Sequence, residues 1–260
     1  MAYLSMLGVN GNIMLFTMLG ILGVVIGSFL NVCIYRIPKK EDIAVERSHC
    51  MHCGHVLQWY ELIPLVSFLI QGGKCRSCKK KISWQYPVVE ALNAVLWIAV
   101  VLVHGLVWES VLYCLCASVL IVITVIDERT MEIPFGCNVF IAVLGVFQVI
   151  IDYPHWYEYV IGFFTVSLFF LLIIWITKGR GMGGGDVKLM AAAGLLLGWK
   201  EIILAMMIGC VLGSVIHICK MIFNKKKEHV LAFGPYLAAG IYLTILFGDP
   251  IITWYLSMFQ

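Results

Sequence analysis

GMGGGDVKLMAAAGLLLGW (181–199) is the stretch on which the fold turns. Its second part, VKLMAAAGLLLGW (187–199), is apolar and rich in small residues. It is shorter than the ~20 residues an α-helix needs to cross a bilayer. Read as a crossing, it leaves the topology after it in one sense; read as a re-entrant piece, it inverts that topology. The first part holds Asp186 beside four glycines, between two apolar runs. A carboxylate near a bilayer is costly, so it either faces water or is placed to do chemistry.

Seven other apolar runs of spanning length, or nearly so, lie at about 12–34, 87–104, 110–127, 134–151, 158–177, 201–223 and 231–248. The chain is 62% hydrophobic and 13% charged, with a mean hydropathy of +0.95. That is the composition of a membrane protein, not of a soluble domain. Basic residues test the count of crossings. Loops 36–86, 128–133, 178–188 and 220–229 hold 17 of the 18 lysines and arginines, and the alternate loops 105–109, 152–157 and 199–200 hold only Lys200. Positive residues mark the cytoplasmic side, and the alternation survives only if 187–199 spans. Otherwise Lys225–Lys227 falls outside. The expectation is an all-α polytopic membrane protein of about eight transmembrane helices, with both termini outside.

Residues 1–35 carry no charge and lack a basic leader, so they predict an uncleaved first helix. The predicted division is this helix at 1–35, a cytoplasmic insert at 36–86 and a membrane bundle at 87–260. A net charge of +3 without an arginine-rich tract points to no nucleic-acid partner.

The insert carries Cys50, Cys53, Cys75 and Cys78 as C-x2-C-x21-C-x2-C. Each pair forms a turn that aims two thiolates at one point, and two such turns complete a tetrahedron that suits structural zinc. A closed metal site also staples a domain too small for its own core. The rival reading is two dithiol redox pairs, which would make the protein a membrane thiol-oxidoreductase. His49, His52 and His55 flank the first pair and could substitute as ligands, but four thiolates already close the shell, which reads them as exposed bystanders.

Two carboxylates stand out from the loop acids. Asp127 ends the apolar run CASVLIVITVID (116–127), and Asp186 opens the short run after the glycines. The predicted topology puts both at the cytoplasmic ends of their helices, where they could face each other. Two facing carboxyls share a proton, so one takes a proton from water while the other donates to the carbonyl or the leaving amine. Simpler readings are a membrane-edge residue for Asp127 and a helix N-cap for Asp186. A third use of membrane carboxylates is proton-coupled transport. Gly179, Gly181 and Gly184 match G-x-G-x-x-G, but a membrane helix precedes them where a dinucleotide site needs a strand.

In chain order, GSFLNVCIYRIP (27–38), the double CxxC loop with WYELIPLVSFL (59–69), ISWQYPVVEALNA (82–94), Asp127 followed by Ile133-Pro134, and GGGDVKLM (183–190) resemble the type IV prepilin peptidases. These are membrane aspartyl proteases of the GxGD type. The resemblance implies Asp127 and Asp186 as the catalytic pair. It implies prepilin or pseudopilin substrates, cut after a leader glycine on the cytoplasmic face of a bacterial inner membrane. It also implies N-methylation of the product from S-adenosylmethionine, for which Glu61 and Glu90 are candidate polar contacts. Phe135 departs from the pattern, standing where many relatives have an acid or amide.

Overall fold

The computed structural model describes residues 2–43, 46–179, 182–223 and 232–259. Lys225–Lys227 of the topology argument, and Arg180 and Gly181 of the glycine loop, lie outside the described residues. Among the described residues the regular structure is helical, with only two isolated antiparallel bridges, His49 with Val56 and Lys74 with Lys81. The chain divides into two compact units, Met1–Leu106 and Val107–Gln260.

The first unit contains α1 (Ala2–Arg36), a short α2 (Val66–Ile70) and α3 (Gln85–His104). α1 starts ten residues earlier than its apolar run suggests, and breaks at Gly8. Between apolar helices in lipid there is little hydrophobic drive to associate, so close backbone approach and interhelical hydrogen bonds must serve. GVVIG (23–27) supplies the approach. A Cβ on Gly23 or Gly27 would lie 2.6 Å from the Cα of Ala94 or Glu90 of α3. Asn93 Nδ2 donates to the Gly23 carbonyl at 2.7 Å, and Asn31 Nδ2 to the Tyr86 carbonyl at 3.2 Å.

The second unit contains α4 (Trp108–Thr130), α5 (Phe135–Ile151), α6 (Trp156–Thr177), α7 (Gly184–Leu197), α8 (Trp199–Phe223) and α9 (Gly234–Ser257). The α5–α6 turn is closed by Asp152, whose carboxylate oxygens accept from Tyr159 and pair with His155, both at 2.8 Å. α9 runs past the expected end at 248, through Asp249 and Pro250. Proline there forgoes one backbone bond, and the residues beyond it, Ile251, Ile252 and Trp254, are again apolar.

Six helices among the described residues are long and apolar enough to cross a membrane. α5 and α7 are the short ones, at 17 and 14 residues. At 1.5 Å per residue α7 is about 21 Å long, against a hydrocarbon layer of about 30 Å. Its surroundings explain how it can be short. Leu189, Met190, Ala191, Ala192, Ala193, Leu196 and Leu197 are all buried. α7 packs on α5, α6, α8 and α9, so it is enclosed by protein and not by lipid. Small residues are what permit this. A Cβ on Gly194 would lie 2.2 Å from the carbonyl oxygen of Gly162 on α6, and one on Gly145 of α5 would lie 2.9 Å from the Leu195 backbone.

Candidate active site and metal centre

Asp127 sits in the last turn of α4 and is 5% exposed; Asp186 is the third residue of α7 and is 8% exposed. Asp127 lies near enough to act electrostatically on Asp186, so the fold draws toward each other two acids some sixty residues apart in the chain. The N-cap of α7 is Gly183, not Asp186. An acid in the first turn is still favoured by the helix dipole.

Asp127 has a direct partner that sequence reasoning missed. The backbone N–H of Gly234, the first residue of α9, donates to Asp127 Oδ2 at 2.9 Å. A Cβ at Gly234 would lie 2.6 Å from that oxygen, so only glycine lets the helix start reach the carboxylate. The available signal was FGP (233–235), since proline in the first helical turn marks a helix start. Nothing in the sequence says which carboxylate that start will meet. Two helix N-termini, of α7 and α9, therefore point their positive ends at these acids.

The glycines before Asp186 have separate jobs. A Cβ on Gly185 would come 3.1 Å from Ile133 Cβ, so this glycine lets the start of α7 close on the α4–α5 turn. A Cβ on Gly183 would stand 3.5 Å from Asp186 Oδ2. Its absence leaves room beside the carboxylate. Phe135, the departure noted above, lies under a cation: Lys188 Nζ is 5.3 Å from its ring centroid.

The four cysteines of the insert converge on one cluster. Their sulfurs all lie within 4.8 Å of one another, and Cys50 Sγ is 3.9 Å from Cys78 Sγ. A tetrahedral zinc with bonds of about 2.3 Å sets sulfurs about 3.8 Å apart, so the set fits that ion. One cluster of four, in place of two separate dithiols, is the arrangement a metal needs.

The two turns are built alike. The Cys50 carbonyl accepts from Gly54 and the Cys75 carbonyl from Lys79; the Cys50 N–H donates to His55 and the Cys75 N–H to Lys80. Gly54 and Lys79 occupy equivalent left-handed positions, at φ 69° and 60°. The His52 backbone N–H holds the Cys50 thiol down at about 7. Cys78, despite the Lys80 N–H, is carried up to about 11 by desolvation and the three neighbouring sulfurs. Four crowded thiols cannot all ionise unaided, and a dication removes that conflict.

Among the described residues the histidines stand outside this cluster. His55 pairs with Glu61 at 3.2 Å, and His49 Nδ1 lies 3.3 Å from the Arg47 carbonyl. Glu61 also accepts from the Gln58 N–H, which holds its carboxyl below the usual range, with His55 adding to the effect. Glu90, on α3, accepts from the Leu65 N–H at 2.8 Å.

Comparison with known proteins separates the chain along similar lines. Residues 21–104 match the bacterial peptidase A24 N-terminal domain, and residues 114–218 match the type IV leader peptidase family. The chain is 36% identical to a prepilin leader peptidase/N-methyltransferase of Bacillus subtilis (strain 168), over 93% of this chain and 98% of the relative. Proteins of the same name from Aeromonas hydrophila and Pseudomonas aeruginosa are 32% and 31% identical. These alignments cover 94% and 91% of this chain, and 94% and 92% of the relatives. No solved structure matches.

Proposed function

The chain belongs to the type IV leader peptidase family, and from that premise we propose that Asp127 and Asp186 are its catalytic pair. The observation that carries this reading is that two buried carboxyls at the ends of α4 and α7 lie near enough for Asp127 to act electrostatically on Asp186, with the Gly234 N–H fixing Asp127. Two carboxyls that close on one water molecule share one proton. The ionised partner takes a proton from water, whose oxygen attacks the scissile carbonyl. The protonated partner hydrogen-bonds that carbonyl and a proton then passes to the leaving amine. Because Gly234 already donates to Asp127 Oδ2, the other Asp127 oxygen and Asp186 are the atoms left to hold water.

The substrate is a prepilin or pseudopilin, with a short basic leader ending in glycine and then an apolar helix. Its helix stays in lipid while the leader reaches the cytoplasmic rim. The distribution of basic loops supports eight crossings, both termini outside, and the cysteine loop and aspartates on the cytoplasmic side of a bacterial inner membrane. The basic insert suits anionic lipid headgroups better than a basic leader.

Zinc is the ion that Cys50, Cys53, Cys75 and Cys78 hold, as a structural staple. After cleavage the new N-terminus is methylated. When bound, S-adenosylmethionine would supply the electrophilic methyl carbon that this transfer needs.

The test is to incubate the purified protein with a prepilin and to sequence the N-terminus of the product. The expected product starts at the residue after the leader glycine. Intact prepilin, or cutting elsewhere, would contradict the reading.

A further inference from the structure

The short helix α2 (Val66–Ile70) has two faces, and the first unit uses one of them. Ser67 and Phe68 turn inward, and Trp84 packs edge-on against Phe68 at 5.1 Å. Val66, Leu69 and Ile70 share the other face, at the i, i+3, i+4 spacing of one helical stripe. Leu69 is 73% exposed and Ile70 81%. Two aromatic rings are exposed on either side of α2 in the chain, Trp59 at 77% and Trp84 at 72%. Single apolar side chains on a surface are ordinary; a contiguous patch with aromatic rings beside it marks an interaction face.

Three further observations say what covers this face. First, α1 and α3 are long and apolar enough to cross a bilayer, so the segment between them begins and ends at one membrane surface. α2 is tied to that level, because the Leu65 N–H donates to Glu90 in the second turn of α3 at 2.8 Å. Second, the backbone of α2 is closed on itself. The N–H groups of Ser67, Leu69 and Gln71 donate to the carbonyls of Ile63, Leu65 and Ser67. At its end Gly72 and Gly73, both at positive φ, donate to the carbonyls of Leu69 and Phe68. Those groups need no water, as a segment dipping toward hydrocarbon requires. Third, the chain turns basic just beyond it. Lys74, Arg76, Lys79, Lys80 and Lys81 are all exposed, and the Arg76 guanidinium lies 5.3 Å from the Tyr60 ring centroid.

We propose that α2 is an interfacial anchor, lying in the membrane plane with Val66, Leu69 and Ile70 in the boundary between headgroups and acyl chains. Helices of this kind sink an apolar face about 5–10 Å into that boundary. Trp59 and Trp84 then sit at headgroup level, where amphipathic rings gather. The basic run meets anionic headgroups, whose attraction acts within about a Debye length. The partner is thus the anionic surface of the membrane that α1 and α3 cross. A protein partner fits less well, since lysine is depleted from protein interfaces and this face has a lysine-rich border. The inference goes beyond leader cleavage and rests only on α1 and α3 being spans.

The experiment reconstitutes the zinc-loaded full chain in nanodiscs of phosphatidylethanolamine and phosphatidylglycerol, with Ile70 replaced by the fluorescent residue dansylalanine. Nanodiscs expose both membrane faces, so the result does not depend on which side the insert occupies. A doxyl spin label high on the acyl chain should remove most of the emission, and iodide in the water should remove little. Loss to iodide with none to doxyl lipid would put the face in water and overturn the anchor. Loss to neither quencher would overturn it as well, because protein would then cover the face. Leu69→Asp places a charge in the boundary and removes no core contact. It should exchange the two losses at position 70 with metal content unchanged, and an unaltered doxyl loss would again overturn the anchor. Should Leu69→Asp lose metal, the two quenchers on the chain with Leu69 intact decide the matter. Prepilin cleavage by the same discs keeps the two readings apart: cleavage with position 70 in water overturns the anchor alone.

Discussion

The two compact units are held together by different means, and the difference shows in how each can be damaged. In the first, order beyond the α1–α3 pair depends on two turns whose four cysteine sulfurs converge on one point. Its sulfurs sit at zinc spacing with little apolar core around them, and Cys53 is exposed. In the second, six helices close on one another through missing side chains. Gly162 and Gly194 meet backbone to backbone, and Gly240 lies on Ala205 and Gly209. A metal site fails when one ligand is lost. A glycine-packed bundle fails when one carbon is added.

Complementary losses would sharpen that contrast most. Asp127→Asn should reduce prepilin cleavage about 10²- to 10⁴-fold, the usual weight of a general acid or base, and leave zinc content at about one per chain. Cys75→Ser should do the reverse, lowering zinc content while cleavage survives. Metal analysis and a gel-shift cleavage assay on the same preparations read both. Equal losses of both properties in either variant would dissolve the distinction.

Gly234→Ala comes next. Its methyl would stand 2.6 Å from Asp127 Oδ2, so the carboxylate must move. A displacement of about 1 Å can cost about 10²-fold in rate, and the fall should appear in kcat with stability little changed. Gly194→Val adds bulk where Gly162 O already lies 2.2 Å from a Cβ position. It should destabilise the second unit by about 1–3 kcal/mol or more, visible as a lower Tm in detergent. A Tm equal to wild type would mean the helices are not packed this closely.

The smallest effect is expected in the cysteine turns. Gly54→Ala meets no atom within 4 Å, so only its left-handed backbone opposes the change, at about 1 kcal/mol. Lys79→Gly, at the equivalent position, should be neutral or mildly stabilising. Zinc-release midpoints in a chelator titration would rank the pair.

Legibility in the sequence follows the same divide. The convergence of the four cysteines could be read from spacing, because two C-x2-C turns fix their own geometry locally. Asp127 and Asp186 could be singled out because carboxylates beside apolar runs need a reason. Their meeting could not be read, since it depends on how α4, α7 and α9 pack. Gly234 was hidden for the same reason: its role lies in a contact 107 residues away. The run AAAGLLLG reads as a crossing only through the alternation of basic loops, because it is too short by length. The structure shows why it can be short: its small residues let neighbouring helices surround it. The apolar run 231–248 stops at Asp249-Pro250, yet α9 continues to Ser257 because apolar residues resume after the proline. Glu61 and Glu90 looked equivalent in sequence, and only their hydrogen bonds separate them.

The account's central claim is that Asp127 and Asp186 act as one unit on one water molecule. The direct measurement is single-turnover cleavage of a prepilin by wild type, Asp127→Asn, Asp186→Asn and the double variant. Groups that act together are strongly non-additive. The account predicts that each single variant falls to the same residual rate and that the double variant is no slower. A single variant that still cleaves near the wild-type rate, or a double variant whose loss is the product of the two single losses, would contradict it.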